Sequence, residues 1–61
     1  MTLTKYYLQC FLPGEWKTLD GAFHDGYTRT LAVALRVKGE YEKSYSTLQW
    51  RIIEVTTSVI V

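Results

Sequence analysis

The residues able to do chemistry in this chain are few, and they do not converge. His24 stands beside Asp25, and it is the only histidine in 61 residues. A His-Asp pair can contribute to a metal site, but such a site takes three or four protein ligands, and neighbouring side chains rarely aim at one ion. Cys10, the only cysteine, has no base near it in sequence. Its place in an alternating run puts it on an apolar face, where a thiol is inert. Glu15, Asp20, Asp25, Glu40, Glu42 and Glu54 show no metal-ligand spacing. Gly14, Gly21, Gly26 and Gly39 are scattered, so they form no phosphate-cradling loop. These residues predict no catalysis, no bound metal and no cofactor.

The remaining chemistry is that of binding. Two Trp, five Tyr and two Phe in so short a chain is a large aromatic content, and Tyr, Trp and Arg dominate the energetics of protein interfaces. The candidate partner-binding residues are Tyr7, Phe11, Trp16, Trp50 and Arg51 on strands, with Arg29, Val33 and Arg36 on the outer face of a helix. Net charge is +1 and the cations are dispersed, whereas a duplex nucleic-acid binder normally carries a basic stripe. A stacking platform of Tyr6, Tyr7, Trp16 and Trp50 with phosphate contacts from Lys5, Lys17 and Arg51 is an alternative, as in single-strand binders. Sequestration of a small ligand in a dimer groove is a second alternative.

The elements that must position these groups follow from periodicity. Thr2 to Leu12 alternates as a strand: Tyr6, Leu8, Cys10 and Leu12 share the more apolar face, and Lys5, Tyr7, Gln9 and Phe11 share the other. Pro13-Gly14 is a turn dipeptide and predicts a hairpin. A second strand from Glu15 to Leu19 places Trp16 and Thr18 together, and Asp20-Gly21 follows as another turn. His24-Asp25-Gly26 reads as helix entry, with Asp25 or Thr28 as cap, and the helical pattern runs to Lys38 with Gly39 as terminator. Tyr27, Leu31, Ala34, Leu35 and Val37 fall in one arc; Arg29, Ala32, Arg36 and Glu40 lie opposite, with Val33 near the edge of that polar side. Glu40 to Ser46 reads as a polar connection carrying two tyrosines, or as a frayed further turn of the helix.

The closing segment, Thr47 to Val61, has no Gly or Pro and is rich in β-branched residues. Its strand core runs to Thr57, and Ser58 to Val61 either continues it or trails off. Leu48, Trp50 and Ile52 point one way, while Ile53 and Val55 point the other. A strand apolar on both sides must be covered on both sides. The predicted fold is therefore one α+β domain, residues 1–61, with a three-stranded antiparallel sheet and one helix on one face, in the order β-β-α-β. One helix covers one face only, so a second molecule is expected on the rest, and a homodimer is the expected state.

A domain this small buries only about 60% of its unfolded surface. The lone cysteine rules out an internal disulfide and suits a reducing compartment. No apolar run approaches the roughly 18 residues that span a bilayer, and no signal-peptide pattern precedes the first strand. The expected setting is a cytoplasm, without membrane contact.

The layout YYLQCFLPGEWKTLDGAFHDGYTRTLAVALRVK…YSTLQWRIIEV resembles that of very small proteins of phages and mobile elements. Their pattern is a leading aromatic strand, a turn, a strand bearing a Trp and ending near a Phe, an Ala-rich helix, and a closing strand of the WRIIEV kind. The resemblance implies an anti-defence role of the anti-CRISPR sort: a non-enzymatic protein, working in the host cytoplasm, that binds a host protein complex and blocks it.

Overall fold

The computed structural model describes residues 1–60. Strand β1 (Thr2–Leu12), strand β2 (Glu15–Thr18), a 3₁₀ turn (Asp20–Ala22), helix α1 (Leu31–Ser44) and strand β3 (Trp50–Ser58) follow in that order. The sheet is antiparallel in the order β2-β1-β3, and α1 lies on one face of it. The fold is the small α+β architecture that the alternation and turn signals predict. Val61, part of the closing segment in the sequence reading, lies outside the described residues.

Register fixes the two faces. Leu12 pairs Glu15 across Pro13-Gly14, and Gly14 takes φ 93, the positive value that the third position of a type II turn requires. Cys10 pairs Trp50, Leu8 pairs Ile52 and Tyr6 pairs Glu54, so these side chains share the helix-covered face. Leu8 and Ala34 are 0% exposed and Cys10 is 6%. Ala34 is where the helix backbone comes down onto β1, because a methyl group is all that fits. These three are the whole fully buried set among the described residues. The molecule measures 44 × 25 × 15 Å, and its short axis is that of one sheet plus one helix.

The start of α1 differs from the sequence reading, and its end takes the extended alternative, past Gly39. The chain does not enter a helix at His24-Asp25-Gly26. Instead Thr28 pairs with Tyr6, exchanging N–H···O bonds of 2.7 and 3.0 Å, and so occupies the edge of β1 that β2 is too short to reach. That pairing holds Thr28 at the sheet edge; the chain bends at Arg29, and Thr30 is still extended (φ −118, ψ 118). Neither Asp25 nor Thr28 caps α1; Thr30 is the N-cap, without a side-chain capping bond, and Thr28 Oγ1 accepts from the Thr30 N–H at 3.3 Å. At the other end, α1 runs through Gly39 to Ser44. Lys38 and Glu42 bridge that glycine with a 3.1 Å ion pair, and Tyr41 anchors the last turn on Trp50 at 5.2 Å. The last strand starts at Trp50 instead of Thr47, because Tyr45 O accepts the Leu48 N–H and the Trp50 Nε1–H, at 3.2 and 3.3 Å, and the chain turns there.

Gly39 therefore sits inside a helix, with a helical φ and open space where a Cβ would be. Gly39→Ala is expected to stabilise the chain by about 0.5–1 kcal/mol by lowering the backbone entropy lost on folding. A rise in melting temperature of roughly 2–8 °C follows. An unchanged or lowered value would show that the last helical turn is not formed.

Candidate protein-binding face

The second face of the sheet has no element over it. It carries the odd-numbered side chains of β1 and β3 and the even-numbered ones of β2, as the Phe11–Trp16, Gln9–Thr18, Gln9–Arg51, Tyr7–Ile53 and Lys5–Val55 pairs require. At one end Phe11 meets Trp16 edge-on, with ring centres 5.3 Å apart and planes at 65°. Arg51 lays its guanidinium over the Trp16 ring, with Cζ 4.1 Å from the centroid. Gln9 then ties the three strands together: its Oε1 accepts from Arg51 Nε at 2.7 Å, and its Nε2 donates to Thr18 Oγ1 at 3.1 Å. At the other end Tyr7 packs on Tyr27 at 6.0 Å, and Lys5 Nζ lies 4.4 Å over the Tyr27 ring.

This face is preorganised. The long side chains at its centre, Arg51 and Gln9, are already held in one geometry, so less of their freedom remains to be lost on docking. It is also amphipathic, with Phe11 and Val55 at 40% and 42% exposed beside satisfied polar groups. That mixture of aromatic anchor, arginine and polar surround is the composition of a protein–protein hot spot.

The sequence candidates divide between the faces. Tyr7, Phe11, Trp16 and Arg51 come together on the open face. Trp50 does not: it lies on the helix side, half-buried between Tyr41 and Tyr45, and serves as packing. Arg29 precedes α1 and belongs to the loop. Val33 is half-buried instead of standing on an outer helix face, and Arg36 is exposed on α1. Val33 and Arg36, being on α1, lie across the sheet from Tyr7, Phe11, Trp16 and Arg51. Tyr27, assigned to the helix arc by periodicity, is instead part of the open face. Gln9 is the residue the sequence did not single out, because its role appears only once the register sets Thr18 and Arg51 on either side of it.

On the helix side, an apolar groove of about 520 Å³ runs between the end of α1 and β2, lined by Leu12, Leu19, Tyr41, Tyr45, Leu48 and Trp50 among others. Cys10 is buried at its floor. His24 and Asp25 are exposed, and no three His, Cys, Asp or Glu side chains cluster among the described residues. No helix among them is long and apolar enough to cross a membrane.

One titration is perturbed. Desolvation raises the Tyr6 hydroxyl above its ordinary value of 10.0, and the Glu54 carboxylate, which accepts its hydrogen bond at 3.3 Å, adds to the rise. Because the folded value is the higher one, the stabilisation is fully present below the unfolded tyrosine range and is lost as pH climbs through the raised value. In an alkaline titration followed at Tyr6, the hydroxyl should ionise above its ordinary value, and Glu54→Gln should lower that midpoint. A titration unchanged by that substitution would break the assigned pair.

Compared with protein-family models, curated proteins and solved structures, the chain matches none. What the coordinates define is a class, a small α+β protein with one helix-covered and one open sheet face.

Proposed function

We propose that this chain is a non-enzymatic interaction protein that binds a partner protein through the open sheet face, with Phe11, Trp16 and Arg51 as anchors and Tyr7 at the far end. The observation that carries the reading is the fixed Phe11–Trp16–Arg51–Gln9–Thr18 array on a face that, among the described residues, no helix or strand covers. In this reading the chain acts as a homodimer in a host cytoplasm. Its resemblance to small phage proteins supports a host defence complex as the target, blocked by occupation of a functional surface.

The array also weighs against single-strand binding. A base stacks on an exposed ring face, yet Arg51 covers the Trp16 ring and Lys5 covers the Tyr27 ring. Two of the three cations that would meet phosphates, Lys5 and Arg51, are the groups over those rings.

The test is capture from a nuclease-treated bacterial lysate on immobilised chain, with Lys43→Ala as a surface control and Trp16→Ala/Arg51→Ala as the face variant. A discrete protein complex retained by the control and released by the face variant is expected. Retention of nucleic acid alone, with affinity falling steeply as salt is added, would overturn the reading, as would capture indifferent to the face variant.

A further inference from the structure

We infer that the outer edge of β3 is a self-association edge, and that a second copy of this chain pairs its own β3 there, antiparallel, to make a six-stranded sheet. The inference rests on the homodimer in the proposed function and names its surface; the bonds it uses are those of the outer β3 backbone, and the Phe11–Trp16 end of the partner face stays clear of them.

The backbone supplies the first argument. Phe11 N–H donates to Gln49 O, and Val59 N–H donates to Met1 O. Those two bonds mark the odd-numbered β3 residues as the ones that pair with β1, since antiparallel pairs alternate. The N–H and C=O groups of Trp50, Ile52, Glu54, Thr56 and Ser58 therefore point away from the sheet. A nine-residue edge strand with no Pro and no lysine is the kind that pairs with another strand. The opposite edge differs, because β2 has four residues and includes Lys17.

Side chains supply the second argument. Leu31 and Leu35 of α1 are 47% and 53% exposed, although helical periodicity groups them with the core residue Ala34. They line a hollow with Ile52, Glu54 and Lys38 on the β3 side of the helix. A two-fold axis at the β3 edge places a second helix on the same side of the sheet, with its own Leu31 and Leu35 facing that hollow. No other copy of the helix is needed to close that hollow.

Charge selects the register. Centring the two-fold on Glu54 sets like carboxylates face to face, which is unfavourable. Centring it on Ile53 pairs Ile53 with its own copy, Arg51 with Val55, and Glu54 with Ile52, next to Lys38 of the other chain. That register forms roughly eight inter-chain backbone hydrogen bonds. A standard interface buries about 800 Å² per partner, under a fifth of the 4566 Å² surface of one chain. Both helices stay on one side, so the two open faces become a single continuous platform.

Sedimentation equilibrium of the intact chain from low to a few hundred micromolar tests this. Wild type should run as a dimer. Leu31→Glu/Leu35→Glu alters only half-exposed positions, and Thr56→Pro removes an outward N–H together with the exposed 3.3 Å hydroxyl contact to Thr4; each should weaken the dimer at least about tenfold with an unchanged far-ultraviolet spectrum. Amide exchange of concentrated wild type gives a reading that needs no variant: Ile52, Glu54 and Thr56 N–H should be protected, and should lose protection on dilution. A wild-type monomer throughout, or edge amides that exchange freely in a dimer, would overturn the inference. So would a dimer abolished by Trp16→Ala but not by the edge variants, which would place self-association on the open face instead. A dimer intact in Trp16→Ala, with lysate capture lost, would leave the edge assignment standing and separate it from the partner face.

Discussion

Leu8→Ala is expected to bring the chain to the verge of unfolding. Leu8 is the largest side chain fully withdrawn from solvent. It sits on the central strand, paired with Ile52, under the helix that descends at Ala34. Leucine-to-alanine changes in such positions cost about 3 kcal/mol through lost transfer energy and the cavity left behind. A domain of this length has a total stability of roughly 3–9 kcal/mol, so the change removes a third of it or all of it. The melting temperature should fall by roughly 12–24 °C, and the urea midpoint should fall without a change in slope. Val55→Ala is the contrast. It removes a larger β-branched side chain than alanine, but from the open face at 42% exposure, and it should cost well under half as much. Equal losses from the two variants would mean that the open face is covered in the isolated chain, and the account of one shielded and one bare face would be wrong.

Trp16→Ala is expected to have the opposite profile, with a small effect on folding and a large one on binding. Trp16 is half-buried, but its neighbours are Phe11 and Arg51 on the uncovered face, not the helix. Truncating an aromatic anchor at the centre of a hot spot costs about 2 kcal/mol or more of binding energy, roughly thirtyfold in affinity. The same change also releases Arg51 from its stacking position, and the freed guanidinium must then be ordered again on docking. Titration of the captured partner against wild type and variant, alongside thermal melts of both, reads the two effects separately. A variant that binds as well as wild type would remove Trp16 from the interface. A variant that melts as early as Leu8→Ala would recast Trp16 as core.

Much of this architecture is legible in the residues themselves. The alternation of Tyr6, Leu8, Cys10 and Leu12 marks the buried side of β1, because a period of two can only place them together. Pro13-Gly14 fixes the hairpin through the two backbone angles it favours. The helix is legible in kind but displaced in position, since its start is set by a contact distant in sequence and its end by packing against β3 together with a local ion pair. Thr28 is held extended by Tyr6, twenty-two residues before it, and Gly39 is carried inside the helix by the Lys38–Glu42 bridge and by Tyr41 on Trp50. A local propensity rule cannot see the Tyr6–Thr28 pairing or the Tyr41–Trp50 packing, although the Lys38–Glu42 spacing is itself a local helix signal. The same displacement moves Tyr27 and Arg29 off the helix. On the partner face the aromatic and arginine members stand out by type, whereas Gln9 gains meaning only from its two cross-strand neighbours.

The central claim is that the helix-free side of the sheet is where a partner docks. Hydroxyl-radical footprinting of the chain, free and in the captured complex, tests it most directly, since tyrosine, tryptophan and phenylalanine report on both sides of the sheet. Loss of labelling at Phe11, Trp16, Tyr7 and Tyr27 on complex formation, with Tyr41 and Tyr45 labelled as before, is the predicted result. Protection confined to Tyr41, Tyr45 and Trp50, with Phe11 and Trp16 still open to label, would contradict it.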